Sequence, residues 1–215
     1  MRDRYSLYAA YYDAASAERF AKDLAAKDWV VDLREGTTLR GFTTLAVMDF
    51  AAASAKRRAI YSGDTIIRRE YWGTPQLPST WIKTVLEKSA GMAQPLYWLL
   101  ISSGYKTYRF LTVFYREFFP RHDTPTPPDM QALMDHLAEA RRGAEYIREL
   151  GVVRFQHGAT PLREGVAAVT DERLHDPHVA LYIERNPGHV NGDELVCLTR
   201  VHSDNFTPAG RRMAR

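Results

Sequence analysis

The chain has 215 residues, 45% of them apolar, with 29 basic against 26 acidic side chains, a net charge of +3 and a pI near 9.0. Such a length can bury a full core as one α/β domain over 1–215, and the charge is too mild and too evenly spread to signal a nucleic-acid surface. No window reaches the roughly 18 apolar residues of a membrane span, and the opening MRDRYSLYAAYYD has charges where a signal peptide carries its apolar core, so a cytoplasmic protein with no membrane partner is expected.

Cys197 is the single cysteine, which excludes an internal disulfide and a multi-cysteine zinc site. Its setting in Glu194–Leu198 reads as a buried strand thiol.

In chain order, Ser6 to Tyr12 reads as a first strand. Asp13 caps a helix from Ala14 to Lys27 with Ala17, Phe20, Ala21 and Leu24 on one face. Trp29 to Leu33 and Leu39 to Phe50 form a hairpin about the turn Glu35-Gly36-Thr37. Arg58 to Tyr71 is a further strand, or a strand pair interrupted at Ser62-Gly63-Asp64. Gly73 to Ser79 holds two prolines and is a loop, after which Ser79 caps a helix from Thr80 to Ser89, closed by Gly91.

Leu96 to Ile101 is a nearly continuous apolar run, expected of a strand covered on both faces. It breaks at Ser102-Ser103-Gly104 into an aromatic-rich helix from Tyr105 to Phe119, the kind of junction where open α/β sheets hold ligands. Residues 120–128 carry four prolines in nine positions and form an internal linker. Asp129 to Leu150 is helical, with Leu133, Leu137, Ala140, Ala144 and Ile147 on one stripe and Gly151 as the stop.

Strands are then expected at Val152 to Phe155, Val166 to Val169, Val179 to Ile183 and Glu194 to Val201, the last two joined by a turn around Asn186, His189 and Asp193. Residues 207–215 form a basic, fraying tail.

This order, a hairpin-rich half, a central strand, a helix, a further strand and an aromatic helix, resembles the GNAT superfamily of acyl-CoA-dependent N-acyltransferases over about residues 5 to 120. The resemblance implies a mixed, largely antiparallel sheet flanked by helices, with an added helix and C-terminal strands. Phe114-Tyr115-Arg116-Glu117-Phe118-Phe119 is similar to the family's tyrosine-bearing ending of the fourth helix, which makes Tyr115 the candidate acid that protonates the leaving thiolate.

The family's pyrophosphate-loop signature is absent. In its place stands Arg69-Glu70-Tyr71-Trp72-Gly73 and a proline-containing loop to Ser79, so Arg68, Arg69, Ser79 and Thr80 are the groups left to hold a phosphate. Glu70 is the candidate base, with Asp64 behind it. Trp72, Tyr97, Trp98, Tyr105 and Tyr108 are the aromatics expected around a substrate cleft, and Ser102 and Ser103 supply hydrogen bonds at the strand end.

His175 and His178 flank a proline and have no third ligand nearby, so no metal site is expected. His157 and His189 sit in loops that could line a pocket.

The function that follows is acyl transfer from a thioester, carried by coenzyme A or an acyl carrier protein, to the amine of a small molecule. Two alternatives stay open: a non-catalytic relative of the same fold that binds an apolar ligand or a protein, and a homodimer assembled through the 129–150 helix.

Overall fold

The computed structural model describes residues 1–52, 55–89, 96–156 and 159–215. Its frame is a sheet of seven strands: β1 (Trp29–Glu35), β2 (Thr38–Ala52), β3 (Ala55–Ile67), β4 (Leu96–Ser102), β5 (Tyr146–Ile147), β6 (Val152–Val153) and β7 (Glu194–Val201). Their order across the sheet is β1-β2-β3-β4-β7-β6-β5. Every pair is antiparallel except β3 with β4. The expected mixed, largely antiparallel sheet flanked by helices is present, and the C-terminal strands close one side of it.

Alternation along β4 builds two cores at once. Trp98 and Leu100 face one layer, with Leu45, Ile60 and Cys197, and against them pack α3 (Gln76–Ser89), α4 (Tyr105–Phe114), the short α6 (Asp171–Leu174) with α7 (Pro177–Arg185), and α8 (Pro208–Met213). Leu99 and Ile101 face the opposite layer, with Ala46, Ala59, Tyr61 and Leu198, under α5 (Pro128–Arg142). Burial on both faces is why the sequence of β4 is apolar without a break. A third cluster joins α1 (Arg2–Ala9) and α2 (Ala17–Ala25) to the far ends of β2 and β3 through Leu7, Tyr8, Phe20, Phe42 and Ile66.

The parallel pair is short. β3 and β4 are in register only from Arg58 opposite Leu96 to Ser62 opposite Leu100. Beyond that point β3 continues to Ile67 beside β2, and β4 continues to Ser102 beside β7, so the two strands part. At the same level β3 bulges: between the pairs Thr43 with Thr65 and Leu45 with Ser62, Gly63 and Asp64 face Thr44 alone. A bulge turns side chains out of the regular alternation and sharpens the local twist, and here it coincides with the opening of the sheet.

Several elements differ from the sequence reading. Ser6 to Tyr12 lies mostly in α1, whose buried Leu7 and Tyr8 take the place of a strand's inner face. The helix after the proline loop starts at Gln76, so Ser79 sits inside its first turns instead of capping it, and the expected stop at Gly91 lies outside the described residues.

The aromatic helix stops at Phe114. Tyr115 is extended and bridges to Phe206, and Phe119 bridges to Leu198, so the last residues of the predicted helix join the C-terminal strand system. α5 ends at Arg142 because Gly143 turns to a φ of 54°. Its apolar face, Met134, Leu137 and Ala138, is taken up by the chain's own sheet.

Val179 to Ile183 is part of α7, not a strand, since Asp176 caps the helix and Pro177 suits its first position. Val166 to Val169 forms no strand, and Asn186 to Asp193 therefore joins a helix to a strand. The tail does not fray: Thr207 caps α8, and Gly210 lies so close to the Phe114 carbonyl that an added Cβ would stand 2.3 Å from it.

Candidate active site

Where β3 and β4 part, a cavity of about 1350 Å³ opens. Its lining includes Tyr105 and Phe110 of α4 from one side of the sheet, and Tyr61, Arg142 and Phe155 from the layer of α5. The cavity therefore runs through the sheet at the splay and has two chemically distinct ends.

At the inner end stand Asp64, delivered by the bulge, and Glu194, the first residue of β7. The Asp64 carboxyl is enclosed by protein except where it faces the cavity. Burial, reinforced by nearby Asp23, pushes its pKa up to about 7. Among the described residues no hydrogen bond to this carboxyl is formed, which leaves its lone pairs free to accept a proton. Glu194 is also raised by burial, against the pull of Arg142. Its Oε1 accepts from Ser103 Oγ at 2.5 Å, and its Oε2 lies 3.6 Å from Arg142 Nη2.

Around this pair are cationic groups. Lys27, its side chain fully enclosed and its pKa lowered by burial, is paired with Asp23. Arg142 donates to the Tyr61 hydroxyl at 3.0 Å, and burial pushes that phenol up to about 12. Gly63 is required here by space: a Cβ would come 2.5 Å from Thr44 Oγ1 and 2.6 Å from Lys27 Cε.

The mouth lies between the starts of α3 and α4, with Trp72, Gly73, Thr74, Pro75, Leu77 and Pro78 facing Gly104, Tyr105, Lys106 and Arg109. The Lys106 ammonium sits 3.8 Å above the Trp72 ring and donates to the Val166 carbonyl at 2.6 Å. Pro75 and Pro78 have no N–H, so the first turn of α3 presents Gln76 and Leu77 as its remaining forward donors, a thin cradle for a pyrophosphate.

The residues singled out from the sequence fall into three groups. Trp72, Ser102, Ser103 and Tyr105 line the cavity. Arg68, Arg69, Glu70, Ser79 and Thr80 do not. Arg68 Nε is tied to the Leu39 carbonyl at 2.9 Å, Arg69 is exposed beside Trp72, Glu70 is exposed on a single helical turn after β3, and Ser79 Oγ donates to the Met213 carbonyl at 3.1 Å. Thr80 is half-buried within α3.

Trp98, Tyr108 and Tyr115 are core. Trp98 Nε1 donates to Ser62 Oγ at 2.8 Å, and Tyr108 donates to the Pro120 carbonyl at 2.9 Å. Tyr115 is 2% exposed, packs between Trp98 and Phe206, and has a hydroxyl with no partner among the described residues; burial raises its pKa. Tyr97 lies away from the cavity, against Phe50. His157 is outside the described residues, and His189 Nδ1 is within 2.9 Å of the Asn186 carbonyl.

Sequence reasoning ranked Asp64 second and passed over Glu194, Tyr61, Arg141 and Arg142. Glu194 and Asp64 are 130 positions apart in the chain, and the sheet order, with β4 and β7 adjacent, is what brings them to one cavity.

No known family profile matches the chain, and no curated protein does. Among solved structures it is similar to a conserved Enterococcus faecalis V583 protein of unknown function, a probable N-acyltransferase, at 16% identity and a TM-score of 0.42 over 54% of this chain and 30% of that one. It is similar to a GCN5-related N-acetyltransferase from Kribbella flavida at 13% identity and a TM-score of 0.40, covering 91% of this chain and 61% of the other. A variant AtaT toxin, bound to the C-terminus of the antitoxin AtaR and to acetyl-CoA, aligns at 18% identity and a TM-score of 0.30 over 36% and 53%. The chain thus spans about a third to three fifths of the length of these structures. By its own topology the fold is GNAT-like: a mixed sheet whose one parallel pair splays open between helices. No helix among the described residues is long and apolar enough to cross a membrane.

Proposed function

We propose that the protein transfers an acyl group from a thioester to the amine of a small molecule inside the through-sheet cavity. The observation that carries this reading is Asp64: a carboxyl with a pKa near 7, placed by the bulge at the point where β3 and β4 part. The edge of β3 beyond Ser62, no longer paired with β4, offers backbone groups on which an extended amide-containing arm can add like a strand.

Entry of the thioester from the mouth brings its carbonyl toward Asp64. The amine attacks that carbonyl, a C–N bond forms, and the amine's proton passes to Asp64. As the C–S bond breaks, the neutral Asp64 acid returns the proton to the departing thiolate. A carboxyl near pH 7 can do both, so no separate phenol is needed and Tyr115 can remain in the core. Ser103 and Tyr12, beside Glu194, orient the inner end.

The donor is a thioester of coenzyme A or of an acyl carrier protein. Two prolines at the start of α3 favour the carrier, which makes no demand for a pyrophosphate cradle. The same prolines favour the alternative reading, a non-catalytic relative that holds an apolar ligand. A thermal-shift screen of acyl-CoAs, carrier thioesters and free fatty acids, followed by single-turnover transfer to a panel of amines, separates them. Stabilisation and transfer by a thioester support acyl transfer; stabilisation by fatty acids with no transfer from any thioester removes it.

A further inference from the structure

The inner end holds more cationic hydrogen-bond donors than the chain itself uses. Several arginines elsewhere hold a carboxylate closely: Arg4 grips Asp32 with two nitrogens at 2.8 and 2.9 Å, Arg40 holds Glu35, and Arg154 puts two nitrogens on Asp193 at 2.9 and 2.6 Å, whereas Arg109 at the mouth has an ion pair to Asp176 at 3.6 Å and an enclosed Nε without a partner. Arg141 has no such close grip. Among the described residues it donates no hydrogen bond; its Nη2 lies 3.8 Å from Oδ1 of Asp23, whose other oxygen is engaged by Lys27, and its guanidinium rests 4.4 Å from the Tyr61 ring centroid. Its side chain is 20% exposed, and it lines the cavity. Among the described residues Arg142 beside it has one hydrogen bond, to Tyr61, and an ion pair at 3.6 Å to Glu194, and its guanidinium is 5.3 Å from the Phe155 ring. The Nε of each is enclosed without a partner.

A guanidinium has five N–H donors in a rigid fork, and leaving them unbonded in a partly desolvated site is costly unless a ligand completes them. The ligand chemistry that completes two adjacent guanidiniums is an oxyanion. Asp64 and Glu194 stand in the same cavity wall, so a dianionic phosphate would face two carboxyls as well as two arginines, whereas a single carboxylate avoids most of that repulsion.

We propose that the acceptor is a zwitterion of the amino-acid class: its carboxylate is held by Arg141 and Arg142, its amine faces Asp64 and Glu194, and its side chain lies against Tyr61, Ile101 and Phe155. The identity of the amine as acceptor rests on the acyl-transfer reading; the carboxylate subsite does not.

The test is calorimetric titration of the full chain, without any thioester, with the L-amino acids, their methyl esters and phosphoethanolamine. Amino acids with apolar side chains bind about tenfold or more tightly than their esters, and in Arg141→Gln that ratio falls toward one. The inference is overturned if esters bind as well as acids in the native protein, if phosphoethanolamine binds more tightly than any amino acid, if no amino acid binds, or if the ratio survives in a folded Arg141→Gln. The ester comparison in the native protein decides the matter even where the variant fails to fold. Carboxylate-dependent binding with no transfer from any thioester sinks the acyl-transfer reading and leaves this subsite standing. Transfer to amines regardless of a carboxylate does the reverse.

Discussion

The two ends of the cavity are built on opposite plans. The inner end is made of strand residues and one helix end, Asp64, Glu194, Tyr61 and Arg142, whose charges are buried and whose places are fixed by sheet register. The mouth is made of loop and helix starts, with Trp72, Pro75, Pro78, Lys106 and Arg109, where the charges are basic side chains nearer the surface and the hydrogen-bond donors of α3 are cut by proline. Rigid elements position chemistry, and adaptable rims admit ligands. The proposed reaction is thus decided inside the sheet, while the nature of the thioester carrier is decided at the rim.

The sharpest way to break this division is Asp64→Asn. Loss of the proton acceptor is expected to lower kcat/KM for transfer by about 10² to 10⁴ with the fold intact, measured by thiol release. The same variant has a stability signature. A carboxyl raised to about 7 in the folded state binds its proton more tightly than in the unfolded chain, so its stabilising contribution is complete below about pH 4 and disappears as the pH rises to about 7. Melting curves of the native protein should therefore lose stability across that window through this group, and Asp64→Asn should flatten the loss, gaining roughly 2–4 °C at pH 8 per kcal/mol recovered.

Next in size is Gly63→Ala. Its Cβ meets Thr44 and Lys27, and overpacking of this kind costs about 1–3 kcal/mol, visible as a lowered Tm together with reduced transfer. At the mouth, Lys106→Ala should raise KM for acyl-CoA by only a few fold and leave a carrier-borne thioester less affected, consistent with one exposed charge against phosphate. A loss as large as that of Asp64→Asn would move the chemistry to the mouth.

Smallest is Tyr115→Phe. Its hydroxyl is buried without a partner, so removal should keep turnover within about twofold and leave Tm unchanged or slightly higher. A collapse of turnover would restore the phenol as the acid.

The same contrast governs what the sequence could reveal. Local signals carried the frame: the apolar run of β4, the hairpin of β1 and β2, the Ser102-Ser103-Gly104 break and the β7 strand are each written in consecutive residues. Ser62-Gly63-Asp64 was legible as an interruption, but whether it broke a strand or bulged it depends on pairing with β2, which no local pattern contains. Val179 to Ile183 misled because a short apolar run serves a buried helix as well as a strand; Asp176-Pro177 was the cap that could have settled it. Tyr115 matched a family pattern in its letters, yet one turn of helix fewer than expected places it in the core. Glu194, Arg141 and Arg142 were invisible as a group, because their proximity to Asp64 is a product of sheet order and of α5 packing on that face.

The central claim is that Asp64 accepts the amine's proton at the splay. The most direct measurement is the pH dependence of single-turnover transfer in the native protein and in Asp64→Asn. The account predicts a rate that rises with pH through a limb near 7 in the native protein, and the disappearance of that limb in the variant. The same limb persisting at comparable rate in Asp64→Asn would contradict it.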